Sequence, residues 1–233
     1  MRVLAIFAHP DDLEINCGGS LALHAMQGDT VYGLVLCDGA LGGDATIRRC
    51  EAIAAAHVLG LAHLHFLNLP DGELLHSGAV VQRVRERIEA LDPQVIYTHA
   101  SADRHQDHVN AHHIVVSAVG KRPIGLLMTE GVSTLDFVPG MYTDITAVMR
   151  QKLRALRAHA SQCDRGSVGA RDLLVTARFR GVQVGVRYAE AFVPHQVRWF
   201  ALGGISHQGG SAGRHASRRH QNEPDRAGVL VRP

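Results

Sequence analysis

The stretch Val3-Leu4-Ala5-Ile6-Phe7-Ala8-His9-Pro10-Asp11-Asp12 decides how this chain reads. An apolar run of strand length ends in a histidine, a proline and two adjacent carboxylates. Such unbroken apolar character suits a parallel strand buried on both faces. A strand end carrying so many titratable groups points to a cleft. A second apolar run, residues 94–99, is followed by Asp103-Arg104-His105-Gln106-Asp107-His108. The two ends converge if their strands lie side by side in one parallel sheet.

The intervening chain supports that arrangement. Apolar strands are predicted at 2–8, 30–37, 63–69, 94–98 and 124–129. Helices are predicted at 21–27 with Ser20 as N-cap, at 46–59 with Ile47, Cys50, Ile53 and Ala54 on one face, at 79–91, and at 107–119. Four strand–helix alternations are the signature of right-handed βαβ units. The expectation is a single α/β domain, Rossmann-like, with a mostly parallel sheet flanked by helices. No G-x-G-x-x-G follows the first strand, so no dinucleotide is expected. Beyond residue 134 the pattern predicts an irregular link, a long helix over 144–160, and short strands at 173–175, 183–186 and 197–201. The domain is expected to span 1–202, followed by a Gly/His/Arg-rich tail, 203–233, that packs loosely.

With 233 residues and 46% apolar side chains, the chain can build one substantial core. A net charge of +2 is too small to argue for nucleic acid or an acidic membrane surface. No run approaches the ~18 apolar residues of a membrane span. The four cysteines form no Cys-x-x-Cys pair and read as reduced thiols in a cytoplasmic protein. Nothing in the sequence speaks to oligomeric state.

His9 and Asp12 offer an imidazole nitrogen and a carboxylate oxygen, ligands that Zn²⁺ accepts. A third ligand must come from His105, Asp107 or His108, with His112 one helical turn further on. Asp11, beside a ligand, would be free as a general base. Position 109 is Val, so the His-Glu-x-x-His helix of another metalloenzyme class is missing its glutamate. Cys17 is the one cysteine near the first cluster and reads as a packing residue rather than a nucleophile.

His9-Pro10-Asp11-Asp12-x-Glu14 with Cys17-Gly18-Gly19, and Arg104-His105-x-Asp107-His108 downstream, resemble the zinc-dependent N-acetylglucosaminyl deacetylases of the PIG-L/LmbE-like family. Asp38-Gly39, Arg48-x-x-Glu51, Leu69-Pro70-Asp71-Gly72, Lys152 and Tyr188-Ala189-Glu190-Ala191-Phe192 extend the likeness to about residue 195. The resemblance implies that His9, Asp12 and His108 bind Zn²⁺, with Fe²⁺ as the alternative, and that Asp11 is the general base. It implies that His105, as a cation, stabilises the oxyanion and is a candidate donor to the leaving amine, with Asp107 orienting it. Arg48 and Asp71 would hold sugar hydroxyls. The implied activity is removal of an N-acetyl or other N-acyl group from a small amino-sugar substrate. The rivals are an amidase acting on a larger sugar conjugate and a non-catalytic sugar-binding protein on the same fold.

Overall fold

The computed structural model describes residues 1–163, 169–196 and 230–231. One sheet runs through it in the order β3-β2-β1-β4-β5-β7-β6-β8. Its parallel part comprises β1 (Arg2–Phe7), β2 (Thr30–Cys37), β3 (His63–Leu69), β4 (Val95–His99) and β5 (Gly125–Thr129). Antiparallel strands β7 (Ala189–Gln196), β6 (Met141–Asp144) and the two-residue β8 (Leu230–Val231) complete it. The mostly parallel α/β expectation is met.

Alternation along β1 divides the core. Val3, Ala5 and Phe7 face one side, packing on α1 (Asp12–Met26), α2 (Ala45–Leu59), α5 (Met149–Arg157) and α7 (Ala170–Val184). Leu4, Ile6 and Ala8 face the other, packing on α3 (Gly78–Leu91) and α4 (Gln106–Val119). Residues Val3 through Ala8 have no exposed surface, as a strand covered on both faces requires. β1 lies between β2 and β4. The strand order therefore reverses at the β1/β4 pair, and the loops leaving those two strands meet at the carboxyl edge, where open α/β sheets bind ligands.

Four local expectations are corrected. The first helix begins at Asp12, not residue 21, with Asp11 as its N-cap at φ 108°. It is kinked at Cys17, and the groups freed there are held from afar. Glu190 of β7 accepts from the amides of Gly19 and Ser20 and from Ser20 Oγ. Lys152 of α5 donates to the Ile15 carbonyl and pairs with Glu190 at 2.6 Å. A Cβ on Gly19 would lie 2.7 Å from Ile145 Cγ2, so only glycine fits this crossing.

On α2 the large apolar residues face out, Ile47 and Ile53 being about half exposed. Its buried face is Arg48, Ala52, Ala55, Ala56 and Leu59, because small side chains allow close packing against neighbouring helices. The long helix expected over 144–160 is replaced by β6, α5 and a short α6 (Ala160–Cys163). Thr143 and Asp144 pair with Glu190 and Ala189 instead of capping a helix. The candidate strands at 173–175 and 183–186 lie within or at the end of helix α7, whose Leu173, Ala177 and Gly181 are buried at helical spacing. The third candidate strand, 197–201, lies outside the described residues, as does the tail apart from β8. No helix among the described residues is long and apolar enough to cross a membrane.

Candidate active site

Each cluster is presented by a strand end and the first turn of the helix after it. β1 delivers His9, and α1 opens with Asp12. β4 ends at His99, and His105 caps α4, which carries Asp107 and His108 in its first turn. The convergence expected from sequence is observed. Asp12 Oδ2 lies 3.4 Å from His9 Nδ1, and its Oδ1 lies 3.5 Å from His108 Nε2. His9, His105 and His108 each place a ring nitrogen within 4.8 Å of the others. These residues line a cleft of about 720 Å³ together with Asp11, Arg48, Asp71, Arg104, Val132 and Gln162.

The electrostatics of this centre call for a cation. Asp12, Asp71 and Asp107 surround His9, and Asp12 and Asp103 flank His108. Burial opposes charge on His9, but hydrogen bonds to Asp107, Asp12 and Asp71 raise its pKa well above the ordinary value. Burial opposes charge on His108 too, and the charges of Asp12 and Asp103 raise it. Asp12, despite burial, is held well below the usual carboxylate range by His108, His99 and His9. In the metal-free protein these carboxylates favour protons on the two imidazoles. Two imidazoles and a carboxylate facing one another fit a divalent ion, which would displace those protons.

Asp11 stands apart from that set. Burial, followed by the adjacent charge of Asp12, pushes its carboxyl up to about 7, against Arg48, His159 and His9 pulling down. Its φ of 108° is in a region L residues rarely adopt, a strained position of the kind found at functional sites. Arg48 holds this loop. It donates to the carbonyls of Gly39 and Pro10 at 2.8 and 2.7 Å and lies 3.4 Å from Asp11. A Cβ on Gly39 would sit 2.7 Å from Arg48 Nη1.

His105 and Asp107 differ from the sequence expectation. The Asp107 carboxylate does not bond to the His105 ring. It accepts from the amides of Gly72 and Leu74 at 2.8 and 3.1 Å and lies 3.1 Å from His9 Nε2. It therefore orients His9. His105 Nδ1 accepts the Asp107 amide at 3.2 Å, which leaves the proton on Nε2. Burial and the neighbouring His9 and His108 lower its pKa, which works against the expected cation. Asp71 points inward, with Oδ1 3.0 Å from His9 Nε2 and Oδ2 accepting the Leu41 amide.

Two further contributors carry no role in the sequence reading. Asp103 lies 3.3 Å from His108 Nδ1. His99 and His105 each stack on the His108 ring, with centroids 4.0 and 4.5 Å away. Asp103 is visible within the second cluster, but nothing in its spacing to His108 marks a contact. His99, the last residue of β4, reads from sequence as an ordinary strand residue.

The PIG-L family, described as GlcNAc-PI de-N-acetylase, matches residues 4–119. Diacetylchitobiose deacetylase of Thermococcus kodakarensis is 30% identical, covering 83% of this chain and 83% of its own. 4-Oxalmesaconate hydratase of Pseudomonas putida is 26% identical, covering 68% and 73%. A conserved protein of Thermus thermophilus superimposes with TM-score 0.76 at 31% identity, covering 83% of this chain and 94% of that one. Both His/Asp clusters fall within the matched residues, and the chain belongs to the PIG-L family.

Proposed function

We propose that this chain is a metal-dependent hydrolase that removes an acetyl or other N-acyl group from the amine of a glucosamine-containing small molecule. The observation that carries the reading is the separation of roles within one loop. His9 and Asp12 face His108, whereas Asp11, between them in sequence, is a buried carboxylate with a pKa of about 7 lining the same cleft. A protein that only bound sugar would have no use for such a base. The diacetylchitobiose deacetylase relative supports the substrate class.

We assign His9, Asp12 and His108 to the metal, Zn²⁺ first and Fe²⁺ second. Bound there, such an ion acidifies water from about 15.7 toward about 7 and polarises an acyl oxygen. Asp11 takes the proton of the attacking water as the C–O bond forms. The His105 Nε2 proton faces the developing oxyanion, a donation whose loss typically costs on the order of 10²–10³ in rate. Asp11 then gives its proton to the nitrogen as the C–N bond breaks, leaving acetate and a free amine. Arg48 and Asp71 line the cleft; the two terminal Arg48 nitrogens and both Asp71 oxygens are already engaged within the protein, while buried Arg48 Nε has no hydrogen-bond partner among the described residues. A sugar-binding role for either rests on substrate displacing one of those bonds. Cys17, Cys37 and Cys50 are free thiols, in keeping with a cytoplasmic setting.

The test is acetate release from a panel of N-acetylglucosaminides by zinc-loaded protein, lost with a chelator and restored by metal. Water addition to an unsaturated carboxylic acid without acetate release from any member would replace this reading with the hydratase chemistry named for the Pseudomonas relative.

A further inference from the structure

His9 has two ring nitrogens, and only Nδ1 faces Asp12. Nε2 faces a different group of donors. It lies 3.0 Å from Asp71 Oδ1 and 3.1 Å from Asp107 Oδ2. Cys37, at the end of β2, completes the group. A ring nitrogen of His9, the sulfur of Cys37 and a carboxylate oxygen of Asp107 all lie within 4.8 Å of one another, and all three residues are buried. The donors come from four places in the fold: the loop after β1, the end of β2, the turn after β3 and the first turn of α4. The Cys37 thiol has no hydrogen-bond partner among the described residues, and the proposed hydrolysis leaves it unused.

We propose that His9, Cys37 and Asp107, with Asp71 beside them, form a second divalent-cation site, selective for thiophilic ions such as Cd²⁺ or excess Zn²⁺. One nitrogen, one sulfur and carboxylate oxygens are a donor set for borderline-soft ions and a poor one for Mg²⁺ or Ca²⁺. On binding, the Cys37 thiol releases its proton to solvent and the sulfur becomes a thiolate ligand. The proton on His9 Nε2, shared with Asp71 and Asp107, is released as well. The two sites share His9. An ion on Nε2 replaces the carboxylates behind the ring with a positive charge, draws electron density from the imidazole and weakens its hold on the first ion. Binding at the second site therefore inhibits.

The cation site itself does not rest on the deacetylase reading, and its test is separable from it. Full-length protein carrying one equivalent of Zn²⁺ is titrated with Cd²⁺. Bound metal is measured together with the near-ultraviolet thiolate-to-cadmium absorption, and turnover is measured in parallel. The wild-type protein is expected to take up Cd²⁺ with that absorption while turnover falls over the same concentration range. Cys37→Ser is expected to lose the absorption, to bind Cd²⁺ at least ~10-fold more weakly and to keep basal turnover. Cys37→Ala, without a donor, should behave likewise. An absorption undiminished in both variants would place the thiolate at a cysteine other than Cys37 and overturn the proposal, as would the absence of any cadmium–thiolate absorption in the wild type. Should no acyl sugar be turned over even without Cd²⁺, the proposed function fails, while stoichiometry and absorption still decide the cation site.

Discussion

Asp103 Oδ1 lies 3.3 Å from His108 Nδ1, while Asp12 Oδ1 lies 3.5 Å from Nε2 of the same ring. The imidazole is thus held between one carboxylate behind it and one that shares its proposed metal. Burial would raise the Asp103 pKa, but hydrogen bonds from His108, Ser133 and the His105 amide hold it well below the usual range. A charged carboxylate behind a ligand histidine fixes its tautomer and raises its basicity. Asp103→Asn is expected to weaken zinc binding by about 10–100-fold, measured by competition with a chromophoric chelator. Unchanged affinity would remove Asp103 from the metal centre.

Asp11→Asn should retain metal yet lose about 10²–10⁴ in kcat, the usual contribution of a general base. It should also stabilise the metal-free protein at alkaline pH. The folded pKa of Asp11 is raised from 3.8 to about 7, so its contribution to stability is complete below about 3.8 and is lost as pH rises through about 7. Thermal unfolding at pH 8 should show the variant with the higher Tm, and the gap should close near pH 4. Zinc loss in this variant equal to that of His108→Ala would show that Asp11 is a ligand.

Arg48 pulls the Asp11 pKa down against burial and Asp12. Removing the guanidinium should therefore move the acid limb of kcat to higher pH. Arg48→Met is expected to show that displacement in a kcat–pH profile. A rise in KM with an unmoved limb would instead make Arg48 a substrate contact.

Glu190→Ala strips the acceptor from two α1 amides and Ser20, and leaves buried Lys152 without its partner. Breaking a buried pair by deleting one member costs about 3–5 kcal/mol. Chemical denaturation should register a loss of that order. A loss below about 1 kcal/mol would mean that the kink holds without β7.

The parallel half of the fold was legible because strands buried on both faces read as plain apolar runs and their helices carry a regular period. Asp144 through Gln196 was less legible. Thr143 and Asp144 resemble a helix cap, but β-pairing with Glu190 and Ala189 claims them. The start of α1 is hidden for a related reason. Its first turn is Asp12-Leu13-Glu14 behind a strained aspartate, and its kink is held by Lys152 and Glu190, far away in sequence.

Within the site, the chain's own pattern determined which residues would gather. His9, Asp11 and Asp12 leave one buried strand, and His105, Asp107 and His108 follow another, so adjacency of the strands is enough to bring them together. Tertiary structure alone decided what each contacts. Asp107 faces His9 because the 72–74 loop amides turn its carboxylate that way, and His105 keeps Nδ1 toward the helix it caps because that nitrogen accepts the Asp107 amide. Residue type and spacing specify the donors that reach a strand edge. Which lone pair meets which proton depends on backbone amides contributed by other loops, and those carry no mark in the sequence.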